Sequence, residues 1–454
     1  MSLQLALQVN FCEAEIGRRL RLDTSPARGM KDYLPGEVQL RNWMLSVILE
    51  TYSQHGFSQI ETPAVENLDR LLGSGGGENE KLIFKILKRG DKLDHADGTS
   101  SELADLGLRF DLTVPLARYY ANNFAKLPPV LRSIQVGPVW RAERPQRGRL
   151  RQFMQCDIDV VGEASVLAEL ELLSVSLAAI SRLGIEAPTL RFNDRRFLDA
   201  LLSWADVATS EVAAVLILMD KMDKIGREGV IAELSKIALD VGSVAKLETF
   251  IRASAASQGL PRDFFVEIGL EGAAIADLEA IAALGDAAAN DGVKFLFDPN
   301  VIRGMGYYTG PIFELTIDEA GYSIGGGGRY DSMMARFGRP SPACGFSLGF
   351  ERIALYLAER AAGDKVAQPE LYLRCESPRD YAQAKAISDI LIAQGIKVAI
   401  EGSSRKLDST LKQLRAANGA QEMSRGAPWV AVVEISATGN RVHRVFGDVP
   451  DLAV

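Results

Sequence analysis

The sequence predicts an α+β protein built on a mixed, largely antiparallel sheet flanked by helices. A helical stretch interrupts that body and a small α/β domain follows it. Three observations carry this prediction. Residues 133–162, SIQVGPVWRAERPQRGRLRQFMQCDIDVVG, read as two β-favouring runs joined by an arginine-loaded turn. Residues 301–357 add VIRGMGYYTGPIFEL, GYSIGGGGRYD and ACGFSLGFERIALYL, which read as further strands closing on a helix. From residue 371, apolar runs and helical periods alternate as strand, helix, strand, helix, strand.

Bulk properties exclude more than they assign. A chain of 454 residues suits two or three domains, and 47% hydrophobic with 24% charged residues is ordinary soluble composition. No apolar run approaches bilayer length. The opening MSLQLALQVNFCEAEIGRRL carries acids and no clear cleavage site, so it is not read as a signal peptide, and the cytoplasm is the expected compartment. Cys12, Cys156, Cys344 and Cys375 lie too far apart for a zinc-ligand spacing or a disulfide framework. His55, His95 and His443 fall outside every polar motif, against histidine acid–base chemistry. A net charge of −8 disfavours whole-surface nucleic-acid binding but leaves room for a local basic track.

Residues 1–25 form an extension without a usable motif. Leu40, Trp43, Met44, Val47, Ile48 and Tyr52 then recur at helical spacing, Gly56 ends that helix, and FSQIETP follows as a strand stopped by Pro63. GSGGGENE (73–80) is a loop without the Lys-Ser/Thr end of a P-loop, LIFKIL (82–87) a strand, and Asp91–Asp105 a polar connection. In LGLRFDLTVPLARYY (106–120), Arg109, Asp111 and Thr113 alternate with Phe110, Leu112 and Val114, which predicts a strand with one polar face, ended by Pro115. A polar-out edge strand is the alternative without function.

In the 133–162 stretch, Met154, Cys156, Ile158 and Val160 form a core face. Phe153, Gln155, Asp157 and Asp159 form the other, an amide and two carboxylates beside a ring. The intervening Arg141, Glu143, Arg144, Arg147, Arg149 and Arg151 suit phosphate, or else a solvated basic hairpin. Helices are expected at 166–183 and, alanine-rich, through 197–290. The glycine run 325–328 predicts either a side-chain-free floor beneath a ligand or a loose turn.

RAERPQRGRLRQF with Gln155 and Asp159 resembles motif 2 of the histidyl-tRNA synthetases. The agreement extends to LR-x-D-x-T at 108–113, to the YYTG and GGRYD segments, and to ACGFSLGFERI as motif 3. The resemblance covers 26–190 and 295–360 well and the terminal domain in outline, where RKLDSTLKQLR (405–415) agrees. It implies a class II aminoacyl-tRNA synthetase catalytic core at 26–190 and 293–363, an insertion at 191–292, and an anticodon-binding-like domain at 369–454. It also implies a homodimer through motif 1, the helix and proline-ended strand near the start.

The activity so implied is ATP-dependent activation of histidine and its transfer to histidine tRNA, with Mg2+ on the phosphates and no membrane. Arg141 and Arg303 would bind the α-phosphate and the reacting carboxylate. Glu143 would contact the adenine amino group, Phe153 would stack on adenine, and Arg352 would hold the γ-phosphate. Asp111, Thr113 and Gln155 would take the ammonium group. Asp159 and Tyr308 would bond the imidazole, and Tyr307 and Tyr330 would line its pocket. Gly306 departs from the family, which commonly has aspartate there. Two other readings share the core: the synthetase-like regulatory subunit of ATP phosphoribosyltransferase, and a paralogue serving a different acceptor. Retention of Arg141, Glu143, Arg303 and Arg352 with a terminal α/β domain favours the ligase.

Overall fold

The computed structural model describes residues 23–72, 79–89, 103–145, 148–289, 292–302, 307–317, 321–360, 371–402, 406–418, 430–436 and 439–446. Extension residues 1–22, Arg147, Arg303–Gly306, most of GSGGGENE and most of 91–105 lie outside the described residues. The chain divides into two compact units, one holding Ser46–Ile353, the other Tyr33–Leu45 with Ala354–Val454.

The first helix spans Pro35–Gln54, and Gly56 ends it at φ +86, where Phe57 N donates back to Tyr52 O. A left-handed residue closing a helix this way favours glycine, since a positive φ strains any L side chain even where, as at Gly56, the surrounding space is open. The strand expected across 57–62 shrinks to β1, Ser58–Gln59, with Ile60 N also donating to Ile134 O. β2 (Val65–Asn67), β3 (Lys85–Leu87) and β4 (Ala104–Leu108) make a small antiparallel sheet in the order β2-β4-β3.

The polar-faced strand expected across 109–114 does not exist: β4 stops at Leu108, and a helix, Thr113–Asn123, takes Pro115 into its first turn. Proline lacks the N–H that is unpaired at that position anyway, so it favours a helix start. Arg109 turns away from Asp111 and Thr113. Its Nη1 donates to Thr62 O at 2.7 Å and its Nε to Pro138 O at 3.0 Å.

The main sheet uses β5 (Leu131–Trp140), β6 (Gln152–Val161), β7 (Thr189–Asp194), β8 (Lys294–Phe297), β9 (Pro311–Ile317), β10 (Tyr322–Arg329) and β11 (Ala343–Leu348). With β1 they run in the order β1-β5-β6-β11-β10-β9-β7-β8. Only the end pairs β1/β5 and β7/β8 are parallel; the intervening pairs are antiparallel, as the hairpin signals imply. β5 and β6 pair from Leu131↔Val161 to Trp140↔Gln152, which fixes the register of every polar residue on β6. The glycine run is not a loose turn but the middle of β10.

Between β7 and β8 come helices at Arg195–Trp204, Val212–Met219, Met222–Leu234, Val241–Ala253, Arg262–Glu267 and Gly272–Ala288. Asp194, still in the sheet, caps the first by accepting from Arg196 N at 2.8 Å. Rings anchor the group on β8: Phe297 lies 5.4 Å from Phe197 and 5.3 Å from Phe265, both edge-on.

The second unit holds β12 (Leu371–Cys375), β13 (Val398–Gly402), β14 (Val430–Ile435) and β15 (Arg441–Phe446), ordered β13-β12-β14-β15. The first three are parallel, linked by helices Tyr381–Ala393 and Leu407–Asn418, and β15 adds an antiparallel edge that periodicity did not announce.

At the end of β10, Arg329 donates from Nε and Nη2 to the two Glu169 oxygens, each at 2.7 Å, and Glu169 is fully buried. Glu169→Ala would leave an inward guanidinium without its carboxylate. The expected loss is about 3–5 kcal/mol of unfolding free energy, read as a lower urea midpoint; an unchanged midpoint would show the pair to be dispensable.

Candidate active site

The floor of the site is β6 and its neighbours. Alternation aims Cys156, Ile158 and Val160 into the core, while Gln155, Asp157 and Asp159 face a cavity of about 210 Å³. Asp111 and Thr113 reach the same cavity from the start of the Thr113–Asn123 helix, and Tyr307, Tyr308 and Tyr330 complete its wall. Two buried groups hold the 109–113 turn over β5. Arg109 clamps Thr62 and Pro138, and Gln135 Nε2 donates to Leu112 O at 2.9 Å.

The inner cavity concentrates carboxyl groups. Asp111 Oδ1 accepts from Val114 N at 3.1 Å, and Asp159 Oδ1 accepts from the Tyr330 hydroxyl at 2.6 Å. Asp159 Oδ2, Asp157 Oδ1 and Gln155 Oε1 are buried without a hydrogen-bond partner among the described residues. Burial raises the Asp159 pKa from 3.8 to about 7, against the lowering effect of Tyr330. It raises Asp111 to about 6, opposed by the Val114 N–H and the charge of Arg141. Asp157 is pushed well above the carboxylate range by burial and then by Asp159. Unpaired acceptors and reluctant carboxylates in one small space describe a receptor for hydrogen-bond donors and positive charge.

Asp159 can lie flat because β11 supplies glycine opposite it. A Cβ on Gly345 would stand 2.1 Å from Asp159 Oδ1 and 3.1 Å from the Tyr330 ring. A Cβ on Gly327 would stand 2.0 Å from the Gly345 carbonyl oxygen.

A larger cavity of about 1200 Å³ adjoins, lined by Arg141, Glu143, Phe153 and Arg352 among others. The Arg141 guanidinium sits 5.1 Å from the Phe153 ring centre, and its Nε donates to Phe110 O at 3.0 Å. Arg352 Nη1 donates to Ser323 O at 2.6 Å, and Glu351, in the first turn of the Phe350–Arg360 helix, accepts from Met154 N on β6. Arg141, Gln155, Tyr307, Tyr308, Gly326, Gly327 and Ser347 line both cavities and so form their common wall.

Every described candidate residue therefore borders one of the two cavities. Arg303 lies outside the described residues. Of the arginine turn, only Arg141 and Arg149 border the larger cavity among described positions; Arg151 instead fixes the turn, donating to Glu143 O at 3.0 Å. Alternation puts Asp157 on the polar face of β6, although the sequence alone assigns it no role. Nor does the sequence single out Ser347, which accepts from Gln155 Nε2 at 3.3 Å, or Gly345. Alternation along β11 was the available signal for Gly345 and Ser347, since both share a face opposite the β6 acids.

A family model described as histidyl-tRNA synthetase matches residues 29–353. A histidine-tRNA ligase of Leifsonia xyli subsp. xyli is 47% identical over 410 residues, covering 87% of this chain and 93% of that protein. A probable histidine-tRNA ligase of Tropheryma whipplei is 43% identical over 372 residues, covering 76% and 83%. Among solved structures, a histidyl-tRNA synthetase from Nostoc sp. PCC 7120 superposes with TM-score 0.71 at 24% identity, covering 93% of this chain and 97% of that one. An ATP phosphoribosyltransferase regulatory subunit/histidyl-tRNA synthetase from Bacillus halodurans C gives 0.68 at 20%, covering 87% and 97%. At those identities the two structures speak for the fold, which is that of the class II synthetase core.

The raised carboxyl of Asp159 has a thermodynamic sign. Folding favours its neutral form, so its contribution is full below about pH 4 and is lost as pH rises through about 7. The unfolding free energy of Asp159→Asn should therefore fall less between pH 4.5 and 7.5 than that of the unsubstituted protein, by urea titration at each pH. Parallel slopes would mean that Asp159 ionises normally.

Proposed function

The chain belongs to the histidyl-tRNA synthetase family, and from that premise we propose that it is a histidine-tRNA ligase. It activates histidine with ATP and passes it to histidine tRNA in the cytoplasm. The observation that carries this reading is the common wall: a small acid-lined cavity and a larger arginine-bordered one meet at Arg141.

Histidine occupies the inner cavity. A neutral imidazole offers one N–H and one acceptor nitrogen. Asp159 accepts from the ring through Oδ2 while Tyr330 holds Oδ1, and Tyr308 addresses the other ring nitrogen, with Tyr307 beside it. Asp111, Thr113 and Gln155 receive the ammonium. A pocket built on such bonds rejects ligands that cannot make them by roughly 10⁴–10⁵. ATP occupies the outer cavity, with Phe153 against the adenine, Glu143 accepting from its amino group and Arg352 at the γ-phosphate. Among the described residues no cluster of acids, histidines and cysteines is suited to a metal ion. By resemblance, magnesium would ride on the phosphates with most of its water, where it would supply charge neutralisation.

The chemistry asks little covalent work of the protein. The histidine carboxylate oxygen bonds to the α-phosphorus and pyrophosphate leaves. Arg141, with Arg303 by resemblance, holds carboxylate and α-phosphate together and offsets the growing charge. The tRNA's terminal ribose hydroxyl then takes the acyl group and AMP leaves.

No helix among the described residues is long and apolar enough to cross a membrane. The protein works as a homodimer through the first helix and the strand after it. Leu34, Val38 and Trp43 stay exposed near that helix's start, apolar surface that a second copy would cover. Sedimentation should give about twice the 49.3 kDa chain mass, and a single-chain mass at micromolar concentration would remove the dimer.

Histidine-dependent exchange of pyrophosphate into ATP, followed by charging of histidine tRNA, tests the activity. Exchange without charging would select a paralogue with another acceptor. Neither activity, with stimulation of a phosphoribosyltransferase, would select the regulatory subunit. Asp159→Ala should lower exchange roughly 10³-fold or more with its melting temperature retained; normal exchange by that variant would defeat the pocket assignment.

A further inference from the structure

Asp157 is the one carboxylate of the inner cavity to which nothing above assigns a task. It is 5% exposed, and its only hydrogen-bond partner among described residues is Ser347, while Oδ1 has none. It sits on β6 between Gln155 and Asp159, opposite Ser347 on β11. A buried carboxylate beside two others is expensive to keep unless a cation arrives.

We infer that Asp157 is a further substrate-binding residue, whose Oδ1 accepts a hydrogen bond from the ammonium group of the bound amino acid. This rests on the reading of the inner cavity as the histidine site. An ammonium on carbon has three N–H donors. Besides Thr113, the cavity that Arg141 borders offers as acceptors Asp111, which spends Oδ1 on Val114 N, and the unpartnered Gln155 Oε1 and Asp157 Oδ1. On β6 Asp157 stands between the two ends of the cavity, next to Gln155 on one side and to Asp159, the charge that acts on it most, on the other. The charge of Arg141 acts on both Asp111 and Asp157. In an α-amino acid the ammonium is one carbon from the carboxylate, so a carboxylate held at Arg141 brings the ammonium to those two acids. Asp159 lies two residues further along β6, bonded to Tyr330, at the depth left for the imidazole. The site thus presents two carboxylates to one ammonium, which strengthens retention of the cation and opposes analogues that lack it.

The test compares Asp157→Asn with the unsubstituted enzyme in histidine-dependent pyrophosphate exchange. The KM for histidine should rise about tenfold with the KM for ATP unchanged, the size of one lost charged hydrogen bond. Two inhibitors locate the lost contact: histidinol has the ring and ammonium, imidazolepropionate the ring and carboxylate. Histidinol should weaken by a similar factor while imidazolepropionate shifts less than twofold. Unchanged inhibition by histidinol, or equal weakening of both, would overturn the assignment. No exchange by the unsubstituted enzyme would instead overturn the proposed function. Should Asp157→Asn fail to fold, Asp157→Ser removes the charge in a smaller side chain and carries the same comparison.

Discussion

The site depends on how closely β6, β11 and β10 approach without side chains between them. Gly327 faces the Gly345 backbone at a distance that leaves no room for a methyl group, and Gly345 faces Asp159 in the same way. Two consequences follow from this one constraint. The sheet keeps an open hollow where side chains would ordinarily fill space, and the Asp159 carboxylate is pressed into a fixed orientation against Tyr330. Bare glycine in a strand is costly in backbone entropy and contributes no packing. Its recurrence in the middle strands makes sense only if the empty volume belongs to a ligand.

The same hollow explains why the acids are held in a neutral-leaning state. Asp111, Asp157 and Asp159 share one small cavity whose nearest bordering guanidinium, Arg141, belongs equally to the outer cavity. Until a cation enters, burial disfavours charge on all three, and each carboxylate that ionises makes the next harder to ionise. A cationic substrate reverses that balance. In the proposed complex, affinity would come from relieving an unfavourable arrangement already built into the fold, the usual cost of a preorganised site.

Much of this was legible in the sequence because local signals and tertiary demand agreed. Alternation along 153–161 put the amide and carboxylates on one face, and the β5/β6 register delivered them to one cavity. The terminal strand–helix order was legible for the same reason. The reading failed at 109–114, where alternation mimicked a strand. Asp111 and Pro115 are helix-start residues, and the turn they set up is held by Arg109 and Gln135 from other elements. No window of sequence contains those partners. Gly345 and Ser347 escaped notice because their meaning lies in what stands opposite them. β15 escaped because RVHRVF carries no clean period of two.

Arg141 shows why one side chain cannot be assigned to one substrate. Its Nε is fixed by the Phe110 carbonyl, the backbone link just before Asp111, and its charged face meets the Phe153 ring. Movement of the 109–113 turn would therefore displace both Asp111 and Arg141, the groups proposed to meet the ammonium and the phosphate. In the proposed reaction the carboxylate and α-phosphorus must come within bonding reach in line, and errors of about 1 Å can cost roughly a hundredfold in rate. Anchoring Arg141 to the segment that carries Asp111 makes amino-acid placement and phosphate placement one mechanical problem. On the proposed reading, the buried Arg109 clamp beneath that turn would belong to the reaction geometry, although it borders neither cavity.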